Sequence, residues 1–359
     1  MKKSALALAV AAGLVGFGSA AYADTTLYGS ARVSVDYVDE SIDRDLGDFV
    51  SGIFDGDGIL DVTNNASRLG VRGEEDLGGG LSAVYQYEFG VDVTEGGNLN
   101  SNRPKWVGLK GGFGSLTLGT QWTPYYNVIG IGDTFNSTRA FGQYTFLGNA
   151  FGLRQDNSVV YRTPNFSGFS LEAMLVMNGA CNDAANAVVP TCKTDASNKL
   201  PGNLSDDIDM WNIGASYKNG PFFVGATYLS LEGPMVNPAT RPPTWDSEQW
   251  GVALGYNAGP FAVTLAYEDG DVNTVYPDDS KNLYLTGQYT FGPNIIRAAY
   301  GHLDPDSNEL GVDKIDNFLV GYQYNFSKRT RVWVEYIGRT SDGAYGDGNA
   351  VSIGTRHDF

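Results

Sequence analysis

After its first two dozen residues the chain has no apolar run approaching the ~20 residues a helix needs to cross hydrocarbon. Any membrane crossing therefore has to be made by strands closed into a barrel. Histidine and cysteine are scarce, two of each in 359 residues. His302 and His357 sit in no ligand or triad motif, so the sequence offers no nucleophile, base and orienting group in a recognisable order. Cys181 and Cys192 lack C-x-x-C spacing and have no histidine near them, which argues against metal or redox chemistry. Positive charge is also short: 24 Lys and Arg against 41 Asp and Glu give a net −17. Nucleic acid rewards clustered cations, and the one basic run, Lys328-Arg329-Thr330-Arg331, reads as a polar turn. Cofactor motifs are missing too: the glycines from Gly52 to Gly58 lack a strand-then-helix setting, and the acidic stretch over 39–61 lacks the closing Glu of an EF-hand.

What is present begins with a leader. Lys2 and Lys3 precede an apolar stretch from Leu6 to Phe17, and Ala21-Tyr22-Ala23 supplies a small-x-small cleavage pattern. The pattern predicts that residues 1–23 are a cleaved secretory signal and that 24–359 form one mature domain. Losing Lys2 and Lys3 takes the charge from −17 to −19. In the oxidising space that export implies, Cys181 and Cys192, both in one long connection, are expected to form a loop-stapling disulfide.

From Leu27 onward apolar residues recur every second position. Leu27, Gly29, Ala31, Val33, Val35 and Tyr37 face one way, and Tyr28, Ser30, Arg32, Ser34 and Asp36 the other. This is strand period. It returns in Leu81–Phe89, Phe261–Tyr267 and Phe318–Phe326. Seven short connections rich in Gly, Asn and Pro alternate with eight long ones, the long ones near 38–64, 92–102, 122–155, 179–206, 233–246, 270–280, 303–314 and 340–348. They divide the chain into 16 candidate strands. The fold class expected is all-β, a 16-stranded antiparallel transmembrane barrel with short periplasmic turns and long external loops. Its outer face would be apolar and its inner face, with Arg32, Asp36, Arg72, Glu74, Glu88 and Glu172, would be wet. Aromatics near strand ends, Tyr28, Tyr37, Trp106, Trp122, Phe169, Tyr217, Phe222, Tyr228, Trp250, Phe261 and Tyr336, are candidates for two interfacial girdles.

Several segments, in this order and spacing, resemble the Gram-negative general diffusion porins. They are Leu27-Tyr28-Gly29, the run from Ser67 to Leu81 (SRLGVRGEEDLGGGL), Val107-Gly108-Leu109-Lys110 before Phe113-Gly114, Tyr161-Arg162-Thr163-Pro164-Asn165-Phe166 and the closing Val351–Phe359. The resemblance spans the whole mature chain. It implies a homotrimer in outer-membrane lipid and lipopolysaccharide, passing ions and small hydrophilic solutes by passive diffusion, with no enzymatic activity and no cofactor. It also implies a third long loop folded into the lumen, Thr123 to Gln155 here, facing a ladder of arginines that Arg68, Arg103 and Arg154 match.

Arg72 and Glu74, in phase with Arg68, and the loop's Asp133 and Arg139 complete the expected selectivity set. Phe359 resembles the C-terminal signal read by the barrel-assembly machinery. The loop departs from the family pattern in having Asp133 as its only acid, where enteric members carry an acid pair. Its rings, among them Tyr125, Tyr126 and Phe135, are expected to pack it against the wall. The acidic total predicts a cation preference, against the sign of the arginine ladder. The alternatives are a substrate-selective channel, which would bind its solute saturably, and a secreted β-rich enzyme or adhesin with no pore.

Overall fold

The structure is a computed structural model, and residues 24–39, 58–100, 103–141, 153–177, 208–231, 247–271, 280–305, 312–343 and 347–359 are described. The leader and both cysteines lie outside the described residues.

The first strand, β1 (Asp24–Val38), opens a single antiparallel sheet. β2 runs in two segments, Ile59–Asn64 and Arg68–Gly78, both paired with β1. After β3 (Leu81–Val91), β4 is again split, Leu99–Asn100 and Lys105–Gly111, both paired with β3. β5 (Gly114–Trp122), β6 (Arg154–Arg162), β7 (Phe169–Val176) and β8 (Met210–Asn219) follow. Next come β9 (Phe222–Leu231), β10 (Ser247–Ala258), β11 (Phe261–Gly270) and β12 (Ser280–Phe291). The last four are β13 (Asn294–Pro305), β14 (Val312–Asn325), β15 (Thr330–Gly343) and β16 (Gly348–Asp358). Each strand pairs with its sequence neighbour, and β16 returns to β1, with Ser30 opposite Asp358 and Val38 opposite Ala350. Closure removes every free edge, so 16 strands satisfy one another's backbone groups.

The pleat sorts the side chains. On β1 the odd residues Leu27, Val35 and Tyr37 are exposed outward, while Ser30, Ser34 and Asp36 are buried inside. An apolar outer wall of this extent has no place in water. Cross-strand ring pairs band that wall at two heights: Trp211 with Tyr228 and Trp250 with Tyr267 toward the long loops, Phe222 with Tyr256 and Phe261 with Tyr289 toward the short turns. Three of the turns place glycine before proline, at Gly220, Gly259 and Gly292. Their φ values of +56°, +58° and +57° fall where other residues are strained.

Three details differ from the sequence expectation. Ile59–Asn64 is strand rather than loop, because a bulge at 65–67, with Ala66 at φ +58°, shifts the pleat by one and keeps Leu60 and Val62 outward. Tyr28 is not a girdle residue: its hydroxyl donates to Glu88 at 2.9 Å inside the barrel. Trp106 lies opposite Gln86, which hydrogen-bonds Tyr28, so it is also inward; Trp122 lines the lumen.

After Trp122 the chain folds into the barrel. Thr123 caps helix α1 (Pro124–Ile129), its side chain accepting from the Tyr126 N–H, and Pro124 needs no donor at the first helical position. A 3-10 turn (Gly130–Gly132) and a short helix, α2 (Thr138–Phe141), follow. The apolar side of α1 covers an inward-facing pad: Tyr125, Val128 and Ile129 cluster with Val160, Met174, Met210 and Leu229. Phe135 does the same with Tyr284, Leu319 and Ile337. The buried apolar clusters therefore lie between this loop and the wall.

Candidate functional site

The third loop is anchored along its length by the strands it crosses. Asn212 Oδ1 on β8 accepts the Tyr125 N–H at 2.7 Å, and Tyr125 Oη donates to Glu268 on β11 at 2.8 Å. Thr286 on β12 donates to the Gly132 carbonyl at 3.2 Å. Glu335 on β15 accepts the N–H groups of Asn136 and Ser137, each at 2.8 Å. In the β2 bulge, Asn65 Oδ1 accepts the Thr138 N–H at 2.8 Å. Arg139 Nε lies 2.9 Å from Asp36 Oδ2 on β1. Three wall glycines make room for α1: a Cβ on Gly214, Gly225 or Gly251 would lie 3.1, 2.8 or 2.7 Å from Pro124, Val128 or Ile129.

What the loop leaves open is a cavity of about 460 Å³. Seven arginines line it: Arg32, Arg68, Arg103, Arg154, Arg297, Arg331 and Arg356. Among the described residues Asp133 is the one lining carboxylate. Arg32, Arg356 and Arg331 lie directly opposite one another on three adjacent strands, an arrangement of like charges that costs sheet stability. Asp358 partly offsets it, 2.7 Å from Arg356 and 2.6 Å from Arg331. Glu88 binds Arg103 at 2.7 Å and lies 3.9 Å from Arg68. The other three are held by neutral groups. Arg32 Nε donates to Ser30 Oγ, Arg297 donates to Gln288 and Gln323, and the Arg154 guanidinium lies 4.4 Å from the centre of the Trp122 ring. Among the described residues no carboxylate lies within salt-bridge distance of those three.

Tyr126 stacks on the same Trp122 ring with ring centres 4.4 Å apart and donates to Asp133 at 3.0 Å. Burial, reinforced by the Asp133 charge, pushes the Tyr126 hydroxyl well above the ordinary phenol range, so it stays a donor. The cavity is on the order of one Debye length across (~8 Å at physiological salt), so its cations act on a solute together.

Of the expected selectivity residues, Arg68, Arg103, Arg154 and Asp133 meet at this cavity. Arg72 and Glu74 do not. They lie four and six residues along β2 from Arg68, about 13 and 20 Å at ~3.3 Å per residue, where Arg72 covers the Tyr28 ring and Glu74 pairs with Lys110 at 3.0 Å. Arg139 faces the wall, held by Asp36, instead of the open space. Tyr125 and Phe135 pack against the wall, Phe135 also bordering the cavity, whereas Tyr126 stacks on Trp122 in the cavity lining. Sequence reasoning missed Arg297, Arg331 and Arg356. Their parity shows they point inward, but only the closed register brings β13, β15 and β16 to the level of Arg68.

A model of the Gram-negative porin family matches residues 5–344. The major outer membrane protein P.IB of Neisseria meningitidis serogroup B is 30% identical over 371 residues, covering 100% of both chains. Among solved structures, the anion-selective porin from Comamonas acidovorans is similar with a TM-score of 0.69 at 20% identity, over 94% of this chain and 100% of that one. The trimer form of OmpT from Vibrio cholerae gives 0.66 at 16% identity, over 94% and 99%.

Proposed function

Because this chain belongs to the Gram-negative porin family, we propose that it discriminates among solutes by charge and size between its arginine wall and third loop, with a preference for anions. It is an outer-membrane channel for passive diffusion of ions and small hydrophilic solutes, and not an enzyme. The observation that carries the preference is the lining itself, seven arginines to one carboxylate. The negative total charge, from which a cation preference was expected, includes acids such as Asp39, Asp43 and Asp45 in connections between strands. Permeation is set where the water path is narrowest, because the low-dielectric wall there focuses each fixed charge onto the passing ion. The sign of the constriction therefore outweighs the sign of the whole chain. Arg68, Arg103 and Arg154, with the neutrally held Arg32 and Arg297, present the cationic lining, and Asp133 the acid that borders the same cavity.

The channel works as a homotrimer, by extension from the OmpT trimer. The second long loop is the neighbour-latching segment, a role supported by its ordered start: Asp92 accepts the N–H groups of Thr94 and Glu95, each at 3.0 Å. Its partners include outer-membrane lipid and lipopolysaccharide against the aromatic-banded wall and the barrel-assembly machinery at Phe359. Residues 1–23 are read as a cleaved leader on their Lys2-Lys3, apolar and Ala21-Tyr22-Ala23 pattern, and the oxidising space that export implies suits a disulfide between Cys181 and Cys192.

Planar-bilayer recording of the purified channel in a potassium chloride gradient tests the selectivity. The two ions have nearly equal mobilities, so an uncharged hole reads near zero. A reversal potential of the sign carried by chloride is expected, and the sign carried by potassium would overturn the reading.

A further inference from the structure

The inner wall carries carboxylates as well as arginines, and while Glu88 and Asp358 pair with the cavity arginines, the third loop covers three of the others. Asp36, Glu268 and Glu335 point inward from β1, β11 and β15, yet are 0%, 1% and 1% exposed. A loop residue covers each one. Arg139 lies on Asp36, Tyr125 on Glu268, and the Asn136 and Ser137 N–H groups on Glu335. Glu172 on β7 is half-covered in the same way, by Asn127 at 2.8 Å. The seven arginines border the water the loop leaves open. The loop itself brings no net charge, since Asp133 and Arg139 are its only charged residues from 123 to 153.

We propose that the third loop acts as a charge mask, setting the channel's selectivity by which wall charges it hides and not by charges it adds. The proposal rests on the anion preference argued above and gives it a cause. A carboxylate open to the lumen can be approached closely by a cation, and their attraction grows as the separation falls. Sealed beneath the loop, the same group cannot be approached so closely, and its partners are backbone N–H groups, the Asn136 and Asn282 amides, a tyrosine hydroxyl or Arg139. The loop therefore removes the acids from competition for ions while it narrows the path.

The mask differs from a plug in what happens when the loop is taken away. A plug leaves behind a wider hole with the same charges on view, whereas removing a mask bares Asp36, Glu268 and Glu335 to the lumen.

The experiment replaces residues 124–141 of the full-length channel with a short Gly-Ser linker, which removes one aspartate and one arginine and leaves net charge unchanged. Conductance should rise, and the reversal potential in a potassium chloride gradient should move toward the potassium side. Adding Glu268→Gln and Glu335→Gln to that channel should bring it back toward chloride, and Glu268→Gln should act more strongly there than in the intact channel. An unmoved reversal potential, or Glu268→Gln acting equally in both, would overturn the mask. Failure of the anion reading would show separately, in the sign of the intact channel. If the loopless chain does not fold, the wild-type protein supplies the test: coupling with a water-soluble carbodiimide and an amine, followed by peptide mass mapping. Glu74 and Asp133 should be modified while Asp36, Glu268 and Glu335 are spared, and equal modification would overturn the proposal.

Discussion

Phe359 and Gly29 exchange two backbone hydrogen bonds, Gly29 N–H to the Phe359 carbonyl at 3.0 Å and Phe359 N–H to the Gly29 carbonyl at 3.1 Å. The terminal residue thus extends the seam at which β16 meets β1, and its ring fills the space a side chain at position 29 would need. Deleting Phe359 removes both bonds, worth about 0.5–1.5 kcal/mol each, together with the ring. Refolding into detergent, followed by electrophoresis of unheated samples, should give a lower yield of the compact barrel. Gly29→Val should lower it as well, by displacing the ring. A deletion that folds at the wild-type rate and yield would remove Phe359 from any role in closure.

Position along a strand separates the arginines that set selectivity from those that do not. Arg68→Gln and Arg154→Gln each take a charge from the cavity and should move the reversal potential toward potassium. Arg72→Gln removes the same charge about 13 Å further along β2, beyond a Debye length of ~8–10 Å, and should move it less. A larger shift from Arg72 would put the narrowest point nearer the short turns.

The barrel was legible because its rule is local. Alternation at Leu27–Tyr37 and glycine-proline turns such as Gly259-Pro260 fix strand, face and connection one at a time. Arg68 could be placed for the same reason, through its parity with Arg72 and Glu74. Height along the pore could not be read that way, since it depends on the register accumulated around a closed sheet. That is why Arg72 and Glu74 were grouped with Arg68, and why Arg297, Arg331 and Arg356 were passed over. Trp122 departs from the rule for strand ends. Strand-end aromatics usually face the interface, but this one, the last residue of β5 where the chain enters the lumen, lies beside Arg154. The anchors Glu335 and Asn65 carry no local signal at all, because their partners lie 199 and 73 positions away.

Ionic strength offers a test that needs no substitution. If the preference comes from fixed arginines acting through water, screening must weaken it as the Debye length falls from ~10 Å at 0.1 M salt to ~3 Å at 1 M. Permeability ratios measured at a constant gradient should favour chloride most in dilute solution and approach unity at 1 M. A ratio that does not change with salt would point to selection by direct binding, the behaviour of a substrate-selective channel.

The depth to which the third loop sits is set by glycine. A Cβ at Gly225 would lie 2.8 Å from Val128 Cγ1 and 3.0 Å from Phe223, too close unless the helix or the ring moves. Phe223 packs against the same apolar cluster, so the displacement falls on α1, which can move only toward the lumen. Gly225→Val should therefore narrow the channel and lower its single-channel conductance. Overpacking of this kind costs about 1–3 kcal/mol, so thermal stability should fall as well. Gly287 is the control: it too lies within a strand, but a Cβ there meets nothing within 4 Å, and Gly287→Ala should leave conductance unchanged. A rise in conductance for Gly225→Val would mean that α1 detaches from its socket instead of shifting within the lumen. In that case Tyr125 would release Glu268, and the reversal potential should move toward potassium in the same recording.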